Sequence, residues 1–248
     1  MSNLRLVVLD YALKHIQNQA TRQALNDLVV MKQVNFQRTD PNYVVTDKHD
    51  IIGTHYLVYD TSDLYEPKVV FALRTTYGDR SQQHRLNTPF QDLLPKISDR
   101  LQTAYQDFYK TRPVVVDCNS WCVDPQFSKK SSGLKLADIG YAMVFLHLTR
   151  MGHNHFIGCT NERYRASRWL ESVGSYTRGY EFVHPVVPDP HMMIMIEKFD
   201  EAHMKTVYEE NKELFDQLYD LVPENSPYSD MPMAIQQIFY GARLGKAA

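Results

Sequence analysis

The run Asp117-Cys118-Asn119-Ser120-Trp121-Cys122-Val123-Asp124-Pro125-Gln126-Phe127, with Gly133 and a helical stretch beyond it, holds the residues best placed to do chemistry. Pro113 to Val116 form an apolar lead-in, the aromatic and small residues that follow have strand character, and Asp124-Pro125 breaks the strand. From Leu134 to Met151 apolar residues recur at helical spacing. A strand that hands over to the exposed amides of a helix N-terminus makes a site for pyrophosphate or phosphopantetheine, and so for an acyl thioester. Lys129 and Lys130 in the intervening turn supply positive charge, while Ser131 brings a side chain where backbone and phosphate would meet. Upstream, Asp47 and Asp50 precede the apolar run His55-Tyr56-Leu57-Val58-Tyr59, and Arg74 closes the run Val69 to Leu73.

The central stretch resembles the core motif of the GNAT superfamily of N-acyltransferases: valine, proline and an aromatic residue at alternate positions, then a basic residue or glutamine and a glycine-rich turn. Val123, Pro125, Phe127 and Gly133 match, whereas Ser128 and Ser131 stand in place of the basic residue and the first glycine. A longer resemblance is to the bacterial acyl-homoserine-lactone synthases, the branch that makes quorum-sensing autoinducers. There a glutamate, two residues later serine-arginine-phenylalanine, and then valine-aspartate occupy the same strand. Here Asp117, Trp121, Val123 and Asp124 keep that order, with Ser120 in place of the arginine. Asp47, Asp50 and Arg74 match the family's aspartate pair and following arginine, so the resemblance spans about residues 25 to 182.

This resemblance implies transfer of an acyl group from acyl-CoA or an acyl carrier protein to a small-molecule amine, S-adenosyl-L-methionine in the homoserine-lactone branch. Such a reaction needs a neutral amine, an oxyanion donor and a proton for the departing thiolate. The family pattern puts Asp117 at the amine proton, the backbone amides of Trp121, Cys122 and Val123 at the oxyanion, and Tyr164 at the thiolate. It puts Asp47, Asp50 and Arg74 around the amine substrate, and Lys129, Lys130, Ser131, Gly133 and Asn161 against the thioester carrier. Structural readings stand beside these. Asp117 can cap a turn, Arg74 can pair with the aspartates, and Tyr164 and the Met192, Met193 and Met195 group can be core. The departures at Ser120 and Ser131 keep open an amino-acid or polyamine acceptor, and a non-catalytic ligand-binding module on the same fold.

The chain has 248 residues, 44% of them hydrophobic, and 27 basic against 29 acidic side chains for a formal net charge of −2. Its size allows one large α/β core, and its charge gives no electrostatic case for nucleic acid. No apolar run approaches a bilayer span and the first residues lack a signal-peptide layout, so a cytoplasmic protein is expected. The three cysteines suit a reducing compartment. Cys118 and Cys122, four apart on a strand, lie about 13 Å from one another and do not share an ion. Cys159 reads as a small core residue and His153-Asn154-His155 as a polar turn, so no metal and no permanently bound cofactor are expected.

Hydrophobic spacing predicts helix from Leu4 to Val34 and an irregular segment from Phe36 to Ile52. Strands are predicted at Thr54–Tyr59 and Val69–Leu73, a polar loop over Thr75–Asn87, and helix over Phe90–Tyr109. After the central strand and its helix come a strand at His155–Thr160, a helix at Tyr164–Val173 stopped by Gly174, and strands at Tyr180–Val186 and Met192–Phe199. Helices are predicted at Glu201–Leu221 and Met231–Leu244. The expected architecture is a three-layer α/β/α GNAT-like domain over residues 1–199, with a mixed, splayed central sheet. Residues 200–248 form a helical extension packed on it, available to cover a sheet face, lengthen an acyl tunnel or form a dimer contact.

Overall fold

The computed structural model describes residues 3–37, 41–42, 44–127, 135–164, 166–176, 180–185 and 189–222. In chain order the elements are β1 (Leu4–Asp10), α1 (Gln19–Phe36), β2 (Thr54–Asp60), β3 (Lys68–Tyr77), α2 (Gly78–Gln83), α3 (Pro89–Leu93), α4 (Asp99–Tyr109), β4 (Val116–Val123) and α5 (Leu136–Arg150). There follow β5 (Phe156–Asn161), α6 (Ala166–Leu170), β6 (Ser175–Tyr176), β7 (Glu181–Val183), β8 (Pro190–Ile196), α7 (Glu201–Glu210), α8 (Lys212–Phe215) and β9 (Tyr219–Leu221). The strands form one mixed sheet in the order β6-β8-β5-β4-β3-β2-β1-β9, with β7 added against β8. Helices cover both faces: α5 and α7 contribute to one apolar cluster, α1 to a second, and α3 and α4 to a third.

Four segments differ from the sequence expectation, each for a physical reason. Leu4–Asp10 is a strand, because the unbroken run Leu6-Val7-Val8-Leu9 is buried on both faces between β2 and β9. An apolar run of that length fits a helix stripe equally well until pairing decides. The helix proper starts only at Gln19, where the Asn18 side chain accepts from the Ala20 N–H at 2.8 Å. Thr75–Tyr77 prolong β3 by pairing with Cys118, Asp117 and Val116, and α2 follows where a loop was expected. The Phe90–Tyr109 helix is split by a turn at Leu94–Lys96 that contains Pro95. The Glu201–Leu221 segment ends as β9, parallel to β1. The expected helix at Met231–Leu244 lies outside the described residues.

The centre of the sheet is set by two strands that touch only briefly. β4 and β5 run parallel and pair only through Asp117 with Ile157 and Cys118 with Gly158. Beyond those residues β4 continues against β3 while β5 continues against β8, so the two arms splay apart. Gly158 makes the contact possible: a Cβ there would sit 2.3 Å from the Cys118 carbonyl oxygen. Gly140 has a similar part in the layer above, since a Cβ on it would lie 2.1 Å from the Phe71 ring, letting α5 cross close over β3. Replacing Gly158 by alanine forces the strands apart at the base of the splay. We expect a loss of about 1–3 kcal/mol in urea-unfolding stability; a variant as stable as the parent would mean that the contact is not a constraint.

Candidate active site

β4 carries one residue more than β3 across the splay. Ala72 opposes Cys122 and Arg74 opposes Asn119, so Ser120 and Trp121 together face Leu73, and Ser120 takes a left-handed backbone with φ of 55°. This is a β-bulge. It inverts the alternation of side chains. Asp117 and Asn119 point to the α3–α4 side, but Trp121, which would otherwise join them, packs with Tyr141 of α5 on the other side. Cys118 and Cys122 consequently lie in apolar clusters on opposite faces. Among the described residues, the edge of β4 beyond Cys118 that faces β5 has no strand partner. Backbone N–H groups along that edge are therefore available to an incoming carbonyl.

Asp117 sits at the closed end of the splay and is 2% exposed. Its Oδ2 accepts the Phe90 N–H at 2.5 Å, at the start of α3. Burial pushes its pKa up to about 7; the hydrogen bonds from Phe90 and Thr88 and the charge of Arg74 act in the opposite direction without cancelling it. Tyr109 stands beside it, and its hydroxyl donates to the Val116 carbonyl at 2.5 Å, fixing the start of β4 against α4. A carboxyl group whose pKa lies near neutrality is suited to proton transfer. It also caps the start of α3, the structural reading of this aspartate.

Asp47, Asp50 and Arg74 come together as one network. The Arg74 guanidinium, 2% exposed, donates from Nη1 to Asp47 Oδ1 at 2.7 Å and Asp50 Oδ1 at 2.6 Å, and from Nη2 to Asp47 Oδ2 at 2.9 Å. Its Nε donates to Asn119 Oδ1 at 2.6 Å, which ties the network to β4. Lys32 of α1 pairs with Asp50, and the Asp50 carbonyl is held by His55 Nε2 at 2.8 Å. Burial opposes ionisation of both aspartates, but Arg74 overcomes it and holds each pKa below the ordinary carboxylate range. Burial and the nearby Arg74 charge lower the pKa of Lys32. Two carboxylates thus face two cations, and Asp47, with its side chain 45% exposed, is the member open to a ligand.

Sequence reasoning missed Lys32 and Asn119. Lys32 had a legible signal, because it lies four residues after Leu28 on the apolar stripe of α1, where a charge needs a buried partner. Asn119 shares Asp117's strand face and so marked itself by alternation. Asn161 closes β5, with its Nδ2 donating to Asp189 Oδ2 at 2.8 Å and its Oδ1 accepting the Arg163 N–H. Tyr164 lies in the single turn Glu162–Tyr164 that follows. Lys129, Lys130, Ser131 and Gly133 lie outside the described residues, between the turn Pro125–Phe127 and α5.

A mixed sheet parted at its central parallel pair, bulged on one arm and covered by helices on both faces, is a GNAT-like α/β fold. Solved structures with this fold include the CoA-dependent acyl-homoserine lactone synthase BjaI with SAM and isopentyl-CoA, at TM-score 0.57 and 10% identity over 94% of this chain and 99% of that one. The N-acyl amino acid synthase FeeM from uncultured soil microbes is similar at TM-score 0.51 and 10% identity, over 79% and 92% of the respective chains. The CoA-dependent acyl-homoserine lactone synthase MesI follows at TM-score 0.50 and 9% identity, over 86% and 98%. At these identities the fold is what is shared. No protein-family model matches the sequence, and no curated protein matches it.

Two outcomes are expected. Arg74→Gln leaves Lys32, among the described residues, as the one close cation on buried Asp50 and removes the ion pair of Asp47, so it lowers stability by about 3–5 kcal/mol in denaturant unfolding, a loss that a dispensable arginine would not show. Asp117 gives a pH signature. Its folded pKa lies above its unfolded one, so its contribution is fully present below about pH 4 and is lost as pH rises through about 7. Asp117→Asn therefore gains stability relative to the parent as pH is raised from 4 to 8, by roughly 4 kcal/mol at most. A pH-independent difference in melting temperature would contradict the assignment.

Proposed function

We propose that the protein is an N-acyltransferase that moves an acyl group from an acyl-CoA or acyl-carrier-protein thioester to a small-molecule amine. The observation that carries this reading is the splay, a groove whose β4 arm has an unpaired, bulged edge and whose closed end holds a carboxyl group titrating near neutrality. In this reading the thioester lies along that edge, with its carbonyl at amides in the Trp121–Val123 stretch. Asp117 takes the amine proton, directly or through water, once the α3 cap relaxes. The attacking nitrogen forms a bond to the carbonyl carbon, the carbon–sulfur bond breaks, and a proton reaches the departing thiolate from Tyr164 or solvent. Lys129, Lys130, Ser131 and Gly133 hold the carrier's phosphate groups, with Asn161 bordering the other arm. No resident cofactor enters this scheme, and a cytoplasmic setting accompanies it.

For the amine we propose S-adenosylmethionine, received at Asp47, Asp50 and Arg74, as in an autoinducer synthase. The sequence pattern at these positions supports that choice, and BjaI is a protein of this fold solved with SAM. One observation favours a second reading, an amino-acid acceptor. Arg74 and Lys32 already neutralise the two aspartates, so the network carries no excess negative charge for a sulfonium, while a zwitterion would match its paired charges. FeeM is described as an N-acyl amino acid synthase.

Calorimetric titration with S-adenosylmethionine, with and without an acyl-CoA, separates the two. Binding that Asp47→Asn weakens supports the first; no binding in either condition, together with thiol release from acyl-CoA in the presence of amino acids, supports the second. Asp117→Asn should lower kcat by about 10²–10⁴-fold and remove the rise of kcat/KM through about pH 7, the side on which the base becomes deprotonated. An unaltered pH profile would remove Asp117 from the chemistry.

A further inference from the structure

The splay has two chemically different sides. On the α3–α4 side the residues at its level are Asn119, Arg74, Asp47 and Asp50, a charged and mutually bonded set. An alkyl chain entering there would strip water from ions and receive nothing in exchange. On the α5 side stand three aromatic rings from three elements: Trp121 of β4, Tyr141 of α5 and Trp169 of α6. Their centroids are 5.7 Å apart for Trp121–Tyr141, 5.5 Å for Trp121–Trp169 and 5.1 Å for Tyr141–Trp169. Tyr141 is buried, but both tryptophans are only partly so.

We propose that the acyl group taken by this site is short, and that Trp121, Tyr141 and Trp169 fix its length by closing the α5 side of the splay. This rests on the N-acyltransferase reading above and specifies its donor. The elements that carry the rings bound the space in question: β4 is one arm of the splay, α6 follows the other arm, and α5 sets Tyr141 against Trp121 of β4 and Phe156 of β5. Rings at these separations are in mutual contact. A methylene chain passes between two of them only if they part by about 4 Å. Two of them are held in place: Trp169 Nε1 donates to Asp138 Oδ1 at 3.0 Å, and Tyr141 is buried in the core cluster, while Trp121 rises from the bulge. A short or branched acyl group ends against the indole faces, and among the described residues the three rings stand in the path of a longer chain on this side.

Trp121 and Trp169 are the chain's two tryptophans, so intrinsic tryptophan fluorescence reports on this cluster alone. The full-length protein is titrated with free CoA and with straight-chain acyl-CoAs from acetyl to decanoyl, and thiol release is followed with the accepted amine. The expected result is a fluorescence change that saturates with acetyl- to butyryl-CoA, and octanoyl-CoA binding weaker by roughly tenfold or more. Trp169→Ala, read through Trp121, shifts the preference toward longer chains; Trp169→Leu provides a second variant that keeps an apolar side chain in the core. Octanoyl- and decanoyl-CoA bound as tightly as butyryl-CoA, or a chain-length profile unchanged in both variants, overturns the proposal and leaves the acyltransferase reading standing. A fluorescence signal unmoved by CoA, by every acyl-CoA and by a butyryl- or octanoyl-loaded acyl carrier protein, with no thiol released from any of them, overturns both.

Discussion

The approach of the Gly158 backbone to the Cys118 carbonyl is the constraint on which the centre of this molecule depends. Two parallel strands that paired along their full length would satisfy every backbone group between them and leave no groove. Here the pairing lasts for two residues and stops. Because the strands are locked so closely at that point, the divergence beyond it is a fixed geometric feature rather than a fraying end. Tyr109, bound to the Val116 backbone, and Asp117, bound to the start of α3, brace the same point from below. The groove is held open by what surrounds its closed end.

The bulge at Ser120 then sorts the chemistry. In an unbroken strand Trp121 would share a face with Asp117 and Asn119, and indole and charged network would compete for one space. One extra residue on β4 separates them, sending the polar groups to meet Arg74 and the aromatic ring to meet α5. The backbone at Ser120 takes a left-handed conformation that glycine would adopt more readily, so the sorting costs local strain. Arg74 ties the result together, since it is opposite Asn119 in the ladder and binds both aspartates of the preceding turn.

What could be read in advance follows from where the information resides. β2, the first half of β3, β4 with its following helix, and β5 were legible because each is a bounded run of apolar residues with a turn or cap beside it. The grouping of Asp47, Asp50 and Arg74 was legible only through a family resemblance; their separation of a whole strand pair carries no local signal. β1 was misread because its apolar run suits either a helix or a doubly buried strand, and β9 because three residues are too few to show a period. The bulge left no trace in composition, since a serine holds the position. The aromatic cluster was not legible at all: Trp121, Tyr141 and Trp169 are scattered along the chain and meet only once β4, α5 and α6 are assembled.

The pairing of β9 with β1 bears on how such a chain reaches its final form. Val7–Leu9 and Tyr219–Leu221 come from opposite ends of the described sequence, yet they form neighbouring strands. Loop-closure entropy makes such a contact slow to form, and during synthesis the first strand emerges long before its neighbour exists. Until α7 and α8 have packed and β9 has added itself, the outer edge of a strand with the apolar run Leu6-Val7-Val8-Leu9 at its centre lies open to any other extended chain. The last described strand therefore acts as a seal as well as a structural element. In the interval before it is in place, the newborn molecule is most exposed to aggregation along that one border.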